Sequence, residues 1–184
     1  MTDTMTSLPP TSAALVAPSY KPTHPEQFKV HFGENLSSKL ITTRAYAKDE
    51  VIAKIEGTTF AAKRYTTVQT GIDEHVELNS DLVYMNHSCG PSCVFDTDAM
   101  VVRATRDLVA GDEMTFFYPS SEWDMDQPFA CWCSAPNCVK MVQGAKYLTE
   151  SQLEGQAVMS HIRELRKTAL GGRQPRFGTL GQMP

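Results

Sequence analysis

The chain has 184 residues, 41% of them hydrophobic and 21% charged, with a formal net charge of −4. This is an ordinary globular balance, in a length suited to one domain with its own core. The chain has no Lys/Arg block, which argues against direct nucleic-acid binding, and no apolar run near the roughly 18 residues that span a bilayer.

Residues Met1 to about Gln27 are rich in Thr, Ser and Pro and lack periodicity, the composition of a flexible arm. Met1 to Pro18 has no basic start and no long apolar stretch, so no secretory signal is expected there. Strands are predicted at Leu40–Ala45, Val51–Ile55 and Thr58–Ala62, with Lys48-Asp49-Glu50 and Glu56-Gly57 as turns. Glu74–Leu78 and Met100–Ala104 read as two more, and Gly111-Asp112 turns the chain into Glu113–Tyr118. This spacing predicts a compact, mainly β domain with irregular connections and short helices, an α+β class.

Towards the end, Thr149 followed by Gln152 fits a capping box. Leu153, Ala157, Ile162, Leu165 and Ala169 then recur at helical spacing, with Gly155 dividing the segment into two helices and Gly171 stopping it. The basic residues from Arg163 to Arg173 read as a solvated helix face. Gly171 to Pro184, with four glycines and two prolines, reads as a flexible tail.

Five cysteines without a signal peptide point to metal or thiol chemistry in a reducing compartment, cytoplasm or nucleus. Cys131, Cys133 and Cys138 form C-x-C-x4-C, three thiols able to converge on one ion. Zinc prefers a tetrahedral set of four, so one ligand must come from elsewhere. Cys89 and Cys93 remain, both near His87, and spacing alone does not decide between them. The plainer reading, small apolar core residues, does not account for three close thiols around a Pro136-Asn137 turn.

Three segments, in order, resemble the SET-domain family. Tyr84 to Ser92, with Asn86-His87-Ser88-Cys89, is similar to its NHSCxPN motif. Gly111 to Tyr118 is similar to GEELTxxY, and Phe129 to Cys138 to the post-SET cysteine cluster. A weaker match, Ser37 to Ile52, falls where the family opens with a Gly-x-Gly strand. The resemblance implies a fold of small β-sheets with a pseudoknot-like core, where the NHSC segment threads a loop near GEELTxxY. It divides the chain into a SET domain at 28–120, a post-SET zinc segment at 121–148 and a C-terminal helical segment at 149–170, between an arm at 1–27 and a tail at 171–184. It also implies that Cys89 joins Cys131, Cys133 and Cys138 around zinc, leaving Cys93 as a core thiol.

The function so implied is methyl transfer from S-adenosylmethionine to a lysine side chain of a protein or peptide. Tyr118 matches the active-site tyrosine that orients the amine. Phe116 matches a position that influences the number of methyls added, and a phenylalanine there looks like the di- or trimethylating type. Asn86 and His87 match the cofactor-binding pair, and Trp132, between two of the proposed zinc thiolates, is a candidate cover for the adenine face, with a surface or core tryptophan as the plainer reading. Tyr65 is a candidate second channel tyrosine that no motif fixes. The chain departs from the family at Ser37-Ser38-Lys39, where the pattern has Gly-x-Gly, and Lys39 there could pair with the cofactor carboxylate. Ser92, Phe117, Ser134 and Lys140 depart at an Asn, an Asp and two glycines. Two other functions fit the same scaffold: a zinc-binding interaction protein with weak transfer, and a small-molecule tailoring enzyme.

Overall fold

The computed structural model describes residues 20–34 and 37–171. The strands in its first half are β1 (Phe28–His31), β2 (Lys39–Thr42), β3 (Val51–Lys54), β4 (Thr59–Ala61), β5 (Thr67–Gln69) and β6 (His75–Glu77). They are followed by β7 (Asn86–His87), β8 (Cys93–Asp96), β9 (Val101–Ala104), β10 (Thr115–Phe116), β11 (Phe129–Ala130) and β12 (Met141–Val142). Two helices close the described chain, α1 (Glu150–Leu153) and α2 (Ser160–Gly171).

The strands make five small sheets. β1 pairs antiparallel with β2, β11 with β12, and two three-stranded sheets run β3-β9-β8 and β4-β6-β5. β7 and β10 pair in parallel, Asn86 opposite Thr115 and His87 opposite Phe116. The strands form where side chains alternate between core and solvent. In β1, Phe28 and Val30 point inward while Lys29 and His31 face out. Phe28, Leu40, Phe95, Val102 and Met114 are fully buried in the main core, and Cys93 lies among them, as expected of a core thiol. A second apolar cluster gathers Cys89, Phe117, Leu148 and Leu153.

The segments 86–92 and 113–118 are laced together well beyond their short strands. Ser88 N–H donates to Phe116 O at 3.0 Å, and Thr115 N–H to Ser92 Oγ at 2.9 Å. Ser92 Oγ in turn donates to Glu113 O at 2.7 Å, so the serine in place of the family's asparagine carries its own share of the lacing.

Several boundaries differ from expectation. β2 ends at Thr42, because Thr42 and Gly111–Asp112 exchange backbone bonds and the chain then turns. β10 is confined to Thr115–Phe116, and Tyr118 opens a 3-10 turn, Tyr118–Ser120, whose Pro119 has no N–H to extend a ladder. Residues 20–27, expected in the N-terminal arm, are tied to the body. Tyr20 Oη donates to Asp81 Oδ2 at 2.7 Å, its ring packs edge-on against Phe32 at 4.9 Å, and Tyr46 Oη donates to Gln27 O at 2.9 Å. The rest of the expected arm, 1–19, and the tail from 172 onward lie outside the described residues.

The C-terminal segment divides at Gly155, whose φ of +76° is left-handed. Thr149 caps α1, accepting from Gln152 N–H while Gln152 Oε1 accepts from Thr149 N–H. Asp98 accepts from the Ser160 amide at 2.9 Å at the start of α2. One basic residue of α2 is not part of a solvated face: Arg166, 14% exposed, donates to Ala145 O and Leu148 O and pairs with Glu150. No helix among the described residues is long and apolar enough to cross a membrane.

Candidate functional site: a thiol cluster beside a half-buried tyrosine

The β11–β12 hairpin carries Cys131, Cys133 and Cys138 in its loop, and the turn after β7 carries Cys89. The hairpin folds back so that all four sulfurs lie within 4.8 Å of one another, with Cys89 Sγ 3.9 Å from Cys131 Sγ. Four thiolates at about 2.3 Å from a tetrahedral zinc would stand roughly 3.8 Å apart, so the set could hold a metal ion. Cys89 is buried and the other three are half-buried. Val139 N–H points at Cys89 Sγ at 3.4 Å, and Cys89 N–H at Cys133 Sγ at 3.5 Å. Burial raises the Cys89 thiol well above the ordinary range, against the pull of the Val139 amide, and raises Cys131 to about 11. At Cys133 burial opposes ionisation, but the Ala135 and Cys89 amides outweigh it and lower the thiol to about 6. Such a cluster is readily ionised as a whole only with a cation at its centre.

The hairpin loop takes two left-handed residues, Ser134 at φ +56° and Lys140 at φ +65°. These are the two positions where the family pattern has glycine. The backbone holds the glycine conformation although the side chains are not glycine. Lys140 O accepts the Cys131 amide at 2.7 Å, which closes the loop. The carbonyl of Cys89 is gripped by Asn137 Nδ2 and Gln156 Nε2, each at 3.0 Å.

The same hairpin lays Phe129 against Tyr118 and His87, ring centroids 6.0 and 5.9 Å away. Tyr118 is enclosed on its other sides by Phe116 at 4.7 Å and His87 at 5.3 Å. Phe116 stacks in turn on Phe95 at 4.8 Å. The Tyr118 hydroxyl donates to Met85 O at 2.9 Å. Burial, and then the nearby Glu122, push its ionisation far above the ordinary phenol range, so it remains a phenol.

His87 joins the two halves of the site. Its Nδ1 accepts the Tyr118 N–H at 3.1 Å, which places the ring proton on Nε2, 3.3 Å from Cys89 Sγ. Burial lowers this imidazole to about 4, and the ring stays neutral. Asn86 Nδ2 spans Ser38 O at 3.0 Å and Glu113 Oε1 at 3.1 Å, while Ser38 Oγ accepts from Gly33 N–H. Ser38 is thereby brought to the Asn86 turn, with Lys39 next to it at the start of β2. Trp132 is 89% exposed between the two cysteines. Tyr65 is 71% exposed in the turn before β5.

Two residues that sequence reasoning missed stand here. Phe129 had a usable signal, an aromatic two positions before Cys131, though nothing local aims it at Tyr118. Glu122 had none: it is 8% exposed, and a buried carboxylate is a product of tertiary packing.

The family model of the SET domain matches residues 32–119. Methyltransferase flvH of Aspergillus flavus is 41% identical over 162 residues, covering 85% of this chain and 89% of that protein. A histone-lysine N-methyltransferase specific for H3 lysine-36, from Aspergillus oryzae, is 36% identical over 67 residues, covering 33% of this chain but 7% of its own length. Among solved structures, the methyltransferase domain of human histone-lysine N-methyltransferase SETMAR matches with a TM-score of 0.47 and 15% identity, over 64% of this chain and 58% of that one.

Proposed function

Since the chain belongs to the SET-domain family, we propose that it transfers a methyl group from S-adenosylmethionine to the side-chain amine of a lysine in a protein. The observation that carries this reading is the Tyr118 hydroxyl, fixed on Met85 O within an aromatic cluster to which the thiol hairpin adds Phe129. In this reading Cys89, Cys131, Cys133 and Cys138 hold one zinc ion, and the spacing of their sulfurs fits it. Asn86, His87 and Trp132 hold the adenine end of S-adenosylmethionine, and Ser38 and Lys39 its amino-acid end. The bond from Asn86 to Ser38 O supports this, because it ties the middle residue of Ser37-Ser38-Lys39 to the Asn86 turn. S-adenosylmethionine supplies an electrophilic methyl carbon on a sulfonium.

The chain's residues supply alignment. The Tyr118 proton is committed to Met85, so its oxygen lone pairs remain free to accept an N–H of the incoming amine and aim the nitrogen's own lone pair. Because Tyr118 stays a phenol, it orients the amine without removing its proton. Neutralising a lysine at pH 7.4 costs about 4 kcal/mol, and aromatic neighbours such as Phe116 and Phe129 lower that cost by disfavouring the ammonium. Phe116 offers no hydroxyl to hold a water beside the amine, which supports the di- or trimethylating type. A reduced thiol cluster suits the cytoplasm or the nucleus.

Calorimetric titration of zinc-loaded protein with S-adenosylmethionine tests the reading first, and absence of binding removes it. Labelled cofactor offered with core histones, cell lysate or free amines then identifies the acceptor. Label on protein is the expected result. Label on small amines alone would move the assignment to small-molecule tailoring, for which the name of flvH leaves room, since it states no acceptor.

A further inference from the structure

The turn that begins at Tyr118 is held by more polar bonds than a connection needs. Met159 N–H donates to Ser120 O at 2.9 Å, His161 Nε2 to Ser121 O at 2.8 Å, and Ala145 N–H to Glu122 O at 2.8 Å. Gly144, at φ +111°, passes so close beneath that a Cβ would press on the Trp123 carbonyl and stand 2.8 Å from Asp124 N. These bonds fix the turn to α2 and to the segment before α1.

Its tie to the sheet β4-β6-β5 is of another kind. Glu122 Oε1 accepts the Gln69 N–H at 2.8 Å, and Gln69 Oε1 accepts the Trp123 N–H at 2.9 Å. The Gln69 side chain cannot swing away cheaply, because its Nε2 also donates to Gly71 O at 2.8 Å and Ile72 O at 3.0 Å. Both residues are buried, Gln69 3% and Glu122 8% exposed. A buried carboxyl that holds a single amide is a costly device for stability alone, since burial raises it to about 7 and an apolar side chain would fill the space at less expense. What it provides is reach. It spans from the end of β5 to the fourth residue after Tyr118, whose carbonyl accepts the Glu122 N–H at 3.0 Å.

We propose that Glu122 is a positioning residue, whose grip on the Gln69 amide sets the sheet β4-β6-β5 against the Tyr118 turn and so fixes where the Tyr118 hydroxyl meets the acceptor amine. This rests on the role given to Tyr118 above.

Two soft substitutions separate reach from charge. Glu122→Asp keeps the carboxylate but withdraws it by one methylene. Glu122→Gln keeps an acceptor oxygen at full reach and cannot ionise. In full-length, zinc-loaded protein carrying tyrosine labelled with carbon-13 at Cζ, Tyr118→Phe assigns the Tyr118 signal. At about pH 6, where the buried carboxyl of the native chain is mostly neutral, the Asp variant should shift or double that signal and the Gln variant should leave it in place. With core-histone octamers as acceptor, the Asp variant should lower kcat about tenfold with KM for S-adenosylmethionine unchanged, and the Gln variant should restore it. A Tyr118 signal unmoved by Asp, or moved as far by Gln, overturns the proposal. Native protein that leaves histones unlabelled would count against the proposed acceptor, while the tyrosine signal would still decide the role of Glu122.

Discussion

Replacing Ser134 and Lys140 by glycine should tighten the proposed zinc site. Both residues hold left-handed backbone, φ +56° and +65°, and both side chains are exposed, so no packing is lost. A side chain in that conformation costs about 1–2 kcal/mol, and glycine returns about 0.5–1 of it through the greater freedom of the unfolded chain. The net gain is about 0.5–1 kcal/mol per site, or about 1–2 for the pair. If the hairpin orders only when its thiols share an ion, the gain is realised in metal affinity. At about 1.4 kcal/mol per decade, the double variant should bind zinc roughly 5- to 30-fold more tightly. Competition against a chromophoric chelator measures this directly, with the single variants as intermediate cases. Melting with and without chelator separates the alternatives, because a hairpin ordered without metal would also raise the apo melting temperature. A double variant that binds zinc no more tightly and melts no higher in either form would refute the reasoning.

Four further outcomes are expected. Tyr118→Phe should lower transfer by about 100-fold or more with zinc content and melting temperature intact, measured with labelled cofactor; undiminished transfer would remove Tyr118 from its role. Cys133→Ser should lose zinc and weaken cofactor binding, and full zinc by metal analysis would count against the four-thiolate site. Gly144→Ala should cost about 1–3 kcal/mol, because its backbone lies in a region that other residues rarely enter and its Cβ meets the Trp123 carbonyl; an unchanged melting curve would contradict that contact. Glu122 is raised from 4.5 to about 7 in the folded chain, so the folded state binds its proton more tightly than the unfolded state does. That contribution is full below about pH 4.5 and is lost as pH rises through about 7, on the order of 3 kcal/mol in all. Denaturant titrations from acid to neutral pH should show this decline in the native chain and its absence in Glu122→Gln.

The residue chemistry was most legible where it is rare. Three cysteines in a short span announce a metal cluster, and the structure brings the distant Cys89 to them within ligand spacing. The core strands were visible where apolar residues alternate, as in β6 and β9. Pairings of two residues, such as β7 with β10, are too short to have a period, and their existence depends on segments that meet only in the folded chain. The order of residues 20–27 was hidden for the same reason, since Tyr20 answers to Asp81, 61 positions away. At Tyr118 the apolar run through Phe117 favoured a longer strand, and the missing N–H of Pro119 prevented it. The carboxylate of Glu122 reads as surface in any local window, and only its partner on β5 takes it inside.

The short parallel pairing gives the centre of this molecule the mechanics of a keystone. Tyr118 follows a strand of two residues and stays in place because a histidine ring, a carbonyl, an aromatic from the thiol hairpin and the struts beyond Pro119 all converge on it. No single sheet could keep it there if the others parted. Amide exchange around Tyr118 should therefore track whole-molecule unfolding, with no shallow local opening, and stripping the zinc proposed for the thiol hairpin with a chelator should lower that protection together with the barrier to global melting.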